Sequence, residues 1–307
     1  MLISKNIAIQ EVQTFGLQRK VVAHMTSSSW KSIPHVSYLY EPDITDFLAE
    51  FKKLAAARSQ KISFNTLLLK AIVEGLLAAP LLNSLLEYNP ATSNGRLLVC
   101  ADINISLPWR LPDGRMITPI VARAGGMSLD ELAQAIATIG QKIGQTNIDE
   151  LLYRAVYADT LGELKRLNPR ILARILSAVF GPQKLSALRG EAKKRYYSQP
   201  AELRLTERDL LDGTVTVSNI GPLYREQRGG FGLLEVVPPQ VLALGISAVQ
   251  EKPGVYLDKD QKQQIGARQF LPVCLSFDHR ALDFGSLVPF LKRLDEIFAH
   301  PEQIEDW

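Results

Sequence analysis

Ser276-Phe277-Asp278-His279-Arg280-Ala281-Leu282-Asp283 closes an apolar run that begins at Phe270, and the reading of these residues decides the fold. The run from Phe270 to Phe277 is predominantly apolar and reads as a buried strand. Beyond it, Leu287, Leu291, Leu294 and Phe298 recur at helical spacing, which predicts a closing helix from about Phe284 to Ala299. His279 and Asp283 therefore fall at a strand-to-helix junction, a common place for chemistry. A histidine titrates near neutrality and can act as a general base, and an aspartate four residues on can fix its surroundings.

Working outward, the other elements alternate between helix and strand. Phe47, Leu48, Phe51, Leu54 and Ala55 predict a helix from Thr45 to about Arg58, with Asp43 or Thr45 as its cap. Ser63 can cap a second helix, Asn65 to Ala79, whose wide apolar face predicts deep burial and which Pro80 stops. Leu97 to Ser106 reads as a strand, Pro112-Asp113-Gly114-Arg115 as a turn and Met116 to Val121 as the returning strand. Ser128-Leu129-Asp130-Glu131 has the form of a capping box and opens a helix to about Ile143. Thr214 to Ser218 and Val241 to Ala248 are further strands, so the class is mixed α/β.

Composition narrows the function. The chain has 307 residues, 46% of them hydrophobic and 22% charged, enough apolar material for one large core or two modest ones. A formal charge of +3 is too mild for nucleic-acid binding, and no zinc-finger spacing or aromatic-interleaved basic stripe occurs. Cys100 and Cys274 both sit in apolar runs and read as small buried hydrophobes in a reducing compartment, with neither a disulfide nor a metal site. Met1 to Lys5 has no apolar signal core, and no stretch approaches the roughly 20 apolar residues of a membrane span, so a cytoplasmic location is expected.

One segment differs from the rest. Residues 148–205 read as a basic helical insertion within a single domain spanning residues 1–307. Ile171, Leu172, Ile175, Leu176, Val179 and Phe180 form an apolar stripe flanked by Arg170 and Arg174. Such an arm either packs on its own subunit or a neighbour, or lies on a membrane surface.

Several blocks, in order, resemble one family. Asp278-His279-Arg280-Ala281-Leu282-Asp283 is similar to the histidine motif of the catalytic domain of dihydrolipoyl acyltransferases, the core components of 2-oxo acid dehydrogenase complexes, and of the related chloramphenicol acetyltransferases. Gly213-Thr214-Val215-Thr216-Val217-Ser218-Asn219-Ile220-Gly221 resembles that family's strand ending in Ser-Asn-x-Gly, and Pro238-Pro239-Gln240 follows as it does there. Arg19-Lys20, Ile33-Pro34-His35 and Asp43-Ile44-Thr45 match its opening, Pro80-Leu81-Leu82-Asn83 the end of its long helix, and Ile117-Thr118-Pro119-Ile120-Val121 its hairpin. The resemblance covers about Gly16 to Asn147 and Leu205 to the C-terminus.

The resemblance implies a chloramphenicol acetyltransferase-like fold: a central mixed sheet flanked by helices, here with a helical insertion. It implies a CoA-dependent acyltransferase that moves an acyl group between thioester carriers (CoA, lipoyl or acyl carrier protein) and a thiol, amine or hydroxyl acceptor. His279 is then the general base and Ser218 the hydroxyl donor to the oxyanion, a contribution of a few kcal/mol in such sites. Asp283 becomes a supporting carboxylate with Arg19 as its positive partner, and Asn219 is a supporting neighbour of Ser218. Coenzyme A enters as substrate, no metal is needed, and no lipoyl group is expected on this chain. A separate lipoyl or carrier protein is a possible partner. The family further implies a homotrimer in which histidine and serine meet across a subunit interface, whereas a larger cage is not required.

One position departs from the pattern. The family has glycine where this chain has Phe284, with Gly285 one place later. Phenylalanine there fills acyl or pantetheine space or weakens the site. It supports the competing expectation, a scaffold or assembly subunit that has kept the fold and lost efficient turnover. A membrane-associated or partner-binding module, working through the basic insertion, is the third reading.

Overall fold

The computed structural model describes residues 10–11, 15, 17–58, 61–155, 188–258 and 260–307. Its elements are α1 (Leu17–Ser32), β1 (His35–Tyr40), α2 (Thr45–Ala57), α3 (Phe64–Ala78), β2 (Ser84–Asn89), β3 (Asn94–Val99), β4 (Ile105–Ser106), β5 (Trp109–Arg110), β6 (Met116–Ile117), β7 (Ile120–Val121), α4 (Leu129–Gln145), α5 (Gly190–Ser198), α6 (Arg208–Leu211), β8 (Val215–Asn219), β9 (Leu242–Ile246), β10 (Gln250–Leu257), β11 (Gln263–Phe270), β12 (Val273–Asp278) and α7 (Phe284–Ala299). A mixed six-stranded sheet in the order β1-β12-β9-β8-β4-β7 is the centre. β12 runs antiparallel to β1 and β9, whereas β9, β8 and β4 run parallel to one another. Both β9 and β12 are buried along their whole length, in keeping with the apolar sequence of β9 and with a β12 whose two polar residues, Ser276 and Asp278, are both hydrogen-bonded.

The helices follow their local signals closely. Ser63 caps α3 by accepting the Thr66 N–H, and Ser128 and Glu131 form the capping box of α4. α3 is buried nearly all round and packs on both α4 and α7. Leu68, Ile72 and Leu76 of α3 join Phe290 and Leu294 of α7 and Leu244 and Phe277 of the sheet in the main core. For α2 the cap differs from expectation. Its N-cap is Ile44, with no side-chain cap bond, and the Asp43 carboxylate takes the Thr45 N–H at 2.9 Å and the Arg268 Nε–H at 2.6 Å, tying α2 to β11.

Three expected strands are interrupted. Phe270 to Phe277 is two elements: β11 ends at Phe270 in a two-stranded ribbon with β10, and β12 starts at Val273 in the main sheet. Pro272, lacking an N–H, separates the two ladders. Leu97 to Ser106 also divides, because the buried Asn83 donates its amide to the Cys100 and Asp102 carbonyls at 3.1 and 3.0 Å and turns the chain between β3 and β4. Pro119 splits Met116 to Val121 in the same way, into β6 and β7. Cys274 is buried as expected, but Cys100 is half-buried outside any strand.

The described base of the 148–205 segment sits on the body of the protein. Leu205 is buried with Leu111, Ile117 and Leu151. Arg204, 9% exposed, has its guanidinium 4.9 and 4.7 Å from the ring centroids of Tyr196 and Tyr197. Tyr197 donates its hydroxyl to the buried Glu150 at 2.6 Å, and burial together with that carboxylate pushes the phenol up to about 12. The apolar stripe Ile171 to Phe180 lies outside the described residues. Among the described residues no helix is long and apolar enough to cross a membrane.

Gly75 permits the close approach of α3 and α7, since a Cβ built there would lie 2.7 Å from two ring carbons of the fully buried Phe290. Gly75→Ala gains roughly 1 kcal/mol of helix preference and loses about 1–3 kcal/mol to overpacking. We expect a net loss of about 1 kcal/mol, read as a lower urea midpoint at unchanged slope.

Candidate active site

His279 leaves the end of β12 in a turn and is exposed. Its backbone N–H donates to the Pro34 carbonyl at 3.1 Å, its ring meets Phe277 edge-on at 5.8 Å, and its Nδ1 lies 2.8 Å from the Leu282 carbonyl oxygen. A carbonyl oxygen only accepts, so Nδ1 carries the proton and Nε2 keeps its lone pair. The turn thus leaves Nε2 as the ring nitrogen available to act as a base.

The ion pair that braces this turn was not foreseen. Asp278, 1% exposed, accepts from the Arg280 backbone N–H at 3.0 Å, from its Nε at 2.9 Å and from its Nη2 at 2.6 Å. The hydrogen bond to Asp278 holds the Arg280 guanidinium further above its ordinary range, and that guanidinium lies 4.9 Å over the Tyr88 ring. The two residues flank His279 in sequence, so an acid and a base two positions apart were the available signal.

Asp283 serves the backbone. It is the N-cap of α7, accepting from the Ser286 N–H at 3.1 Å in a reciprocal capping box. Arg19 is exposed on α1, and no ion pair joins it to Asp283 among the described residues. Phe284 follows the cap and is 50% exposed, its ring centroid 5.0 Å from that of Tyr38 on β1.

Ser218 lies on β8, half-buried, and its hydroxyl has no hydrogen-bond partner among the described residues. Asn219 beside it accepts the Gly221 N–H at 2.9 Å and donates to Asn65 at 3.1 Å. Ser63, Asn65, Asn219, Arg225 and Ser247 line a cleft of about 470 Å³ at this end of the sheet. The N-terminus of α3 and Arg225 both favour anions there. Ser247 is 2% exposed, and its hydroxyl has no hydrogen-bond partner among the described residues.

Within one chain Ser218 and His279 do not meet. Ser218, Gly245 and Cys274 stand abreast on β8, β9 and β12. Two strand spacings make about 10 Å, and the strand from Cys274 to His279 adds about 17 Å, so the backbones of the two residues are on the order of 20 Å apart. They stand at opposite ends of the sheet.

The start of β8 is held by buried amides whose roles were not legible beforehand. Asn83 accepts the Thr214 hydroxyl at 2.5 Å, and Gln240 accepts that of Thr216 at 2.7 Å while donating to the Gly213 carbonyl at 3.1 Å. His35 does similar work, accepting the Val236 N–H at Nε2 at 3.1 Å. Burial pushes both thiols, Cys100 and Cys274, up, which makes neither a ready nucleophile.

Comparison with known proteins adds to this geometry. Residues 8–151 and 184–305 match the sequence model of the 2-oxoacid dehydrogenases acyltransferase catalytic domain. The chain is 23% identical over 277 residues to the dihydrolipoyllysine-residue acetyltransferase component of the pyruvate dehydrogenase complex of Mycobacterium tuberculosis, covering 89% of this chain and 38% of that protein. It is 26% identical over 278 residues to the mitochondrial lipoamide acyltransferase component of the branched-chain alpha-keto acid dehydrogenase complex of Mus musculus, covering 90% and 43%. The chain thus spans about two-fifths of the length of these relatives. Its fold is that of the cubic core of the pyruvate dehydrogenase multienzyme complex, with TM-score 0.62 at 23% identity, covering 98% of this chain and 96% of that one. The dihydrolipoamide acetyltransferase of Azotobacter vinelandii, studied for the role of a serine, a histidine and an asparagine in its catalytic mechanism, gives TM-score 0.61 at 23% identity, with the same coverage.

Substitutions at two positions separate support from chemistry. Asp283→Ala removes a cap and is expected to lower stability by about 1 kcal/mol, whereas Asp283→Ser, a competent cap, stays within a few tenths. Arg280→Ala leaves Asp278 buried without its cation and is expected to lose about 3 kcal/mol, the low end for a broken buried pair because Arg280 is partly solvated. Urea denaturation measures both.

Proposed function

The chain belongs to the family of 2-oxoacid dehydrogenase acyltransferase catalytic domains, and from that premise we propose that it transfers an acyl group from a CoA-type thioester to a thiol, amine or hydroxyl acceptor. The observation that carries this reading is the imidazole of His279, whose Nδ1–H donates to the Leu282 carbonyl and whose Nε2 has no hydrogen-bond partner among the described residues. His279 Nε2 takes the proton of the acceptor nucleophile as that atom attacks the thioester carbonyl. Ser218 donates its hydroxyl to the oxygen on which negative charge develops. When the carbon–sulfur bond breaks, the His279 imidazolium returns its proton to the departing sulfur, so the base is regenerated. No protein nucleophile takes part, in keeping with two cysteines whose thiols burial pushes up.

The separation of Ser218 from His279 supports a site made by two chains. A cyclic assembly, in which each chain lends His279 to one neighbour and Ser218 to the other, closes this contact without free ends, and a trimer is the form we propose. The cleft beside Ser218, with Arg225 and the N-terminus of α3, suits the phosphates of coenzyme A. Asp283 and Asn219 act as positioning residues, the first through the cap of α7, the second through the turn at Gly221. The histidine and asparagine studied in the Azotobacter vinelandii enzyme are four positions apart, as His279 and Asp283 are, which supports the same assignment. The free cysteines suit a reducing cytoplasm. The family match passes over residues 152–183, in support of an insertion within one catalytic domain.

Thiol release from acyl-CoA is the direct test. His279→Ala and Ser218→Ala are each expected to reduce turnover by about 10²-fold or more. Co-expressed in equal amounts, the two inactive variants should regain up to about a quarter of the wild-type activity, since about one interface in four then pairs an intact His279 with an intact Ser218. No recovery in mixed oligomers would exclude the two-chain site; turnover absent from the wild-type protein, with no CoA binding by calorimetry, would favour the scaffold.

A further inference from the structure

A second histidine braces the main chain of His279. The β1–β12 ladder ends with His35 opposite Asp278, and the next rung is the His279 N–H, which donates to the Pro34 carbonyl at 3.1 Å. Pro34 has no N–H, so this pair makes one hydrogen bond where an antiparallel pair can exchange two. The backbone of the base is therefore tied to β1 at this point by a single carbonyl.

That carbonyl belongs to a turn which His35 closes. The Ile33 carbonyl accepts the His35 backbone N–H at 3.1 Å and lies 2.9 Å from the His35 Nδ1. A carbonyl oxygen only accepts, so Nδ1 carries the proton and clasps the turn around Pro34. Nε2 in turn accepts the N–H of the fully buried Val236 at 3.1 Å. Ser29 of α1 donates its hydroxyl to the Val236 carbonyl at 2.7 Å, its oxygen 3.2 Å from the same Nε2, and the Trp30 ring packs on the imidazole with centroids 4.9 Å apart. Both ring nitrogens of His35 are engaged by the protein itself, so this histidine supports and does not react.

We propose that His35 is a positioning residue for the His279 base: its Nδ1–H holds the Ile33–Pro34 turn so that the Pro34 carbonyl meets the His279 N–H. This rests on the acyltransferase reading. The two nitrogens have separable duties. Nδ1 shapes the turn that reaches His279, whereas Nε2 satisfies a buried N–H, which is a matter of stability. A base displaced by about 1 Å can lose up to about 10²-fold in rate, so a small relaxation of the turn is enough to be measured in turnover.

Two amide side chains divide the ring. His35→Asn keeps an N–H donor in the place of Nδ1 and gives up the acceptor for Val236; His35→Gln keeps an acceptor in the place of Nε2 and gives up the clasp. The test follows CoA release from acetyl-CoA, with 2-mercaptoethanol, ethylamine or ethanol as acceptor, together with the urea midpoint and the hydrogen-exchange rate of the His279 amide. His35→Asn is expected to lower the urea midpoint and to keep kcat within about threefold of wild type. His35→Gln is expected to lose about tenfold or more in kcat at unchanged KM for acetyl-CoA, and to speed exchange of the His279 amide by about fivefold or more. Ser29→Ala, which touches Val236 and leaves the turn closed, is expected to lower the midpoint alone. Should His35→Gln fail to fold, ring-nitrogen NMR of the wild-type protein decides: a His35 proton on Nδ1 is expected, and one on Nε2 overturns the proposal. Equal losses of kcat in the two variants in step with their urea midpoints, or no loss in either, also overturn it while leaving the acyltransferase intact. Turnover absent from the wild-type protein with every acceptor removes the acyltransferase reading, and this proposal with it.

Discussion

Strand direction is the constraint on which the rest of the structure depends. β8 and β9 run parallel and β12 runs against them, so the C-terminal ends of β8 and β12 open on opposite sides of one sheet. Ser218 lies near one such end and His279 just past the other. No rotamer change or loop motion spans that gap, because both residues are fixed by strands buried in the main core. The local architecture at each end is complete in itself. One side has an imidazole whose Nδ1–H is held by a backbone carbonyl; the other has a hydroxyl without a partner among the described residues, beside an anion-favouring cleft.

Much of this was legible in the amino-acid sequence wherever the governing interaction is local. Capping at Ser63 and Ser128, the helix after Asp283 and the strand before His279 depend on residues within a few positions of one another, and the structure has them nearly as expected. Elements that depend on distant partners were not legible. The helix α1 has only a weak apolar pattern and is anchored through Ser29, which is fully buried and donates its hydroxyl to the Val236 carbonyl at 2.7 Å. The ribbon β10–β11 exposes Val255, Leu257 and Ile265 and turns Lys252, Tyr256 and Arg268 inward, the reverse of the alternation expected for a half-buried strand. A single proline was enough to divide the run ending at Phe277.

At the site the types of residue were legible and their contacts less so. His279 was read from its place at a strand-to-helix junction, and Ser218 and Asn219 from the resemblance of their strand to the family's. The work of Asp283 was not: its carboxylate is engaged by Ser286 in a helix cap, while the ion pair that braces the histidine turn is formed by Asp278 and Arg280. Asn83 and Gln240 were noticed as members of motifs, but their function is mechanical. Buried amides that satisfy both donor and acceptor are costly to displace, so the start of β8 is held in register from both flanks.

The distance between base and hydroxyl also bears on thioester safety. A dissociated subunit would hold an imidazole able to activate water, yet it would lack the donor that stabilises charge on the carbonyl oxygen, so the bond under attack would face only half a catalyst. On the proposed two-chain site, hydrolysis of the acyl carrier, the wasteful counterpart of transfer, would be suppressed in any stray monomer by geometry alone. Specific activity would then become a function of dilution, and assembly itself would act as the fuse that keeps an unfinished enzyme from discharging its substrate.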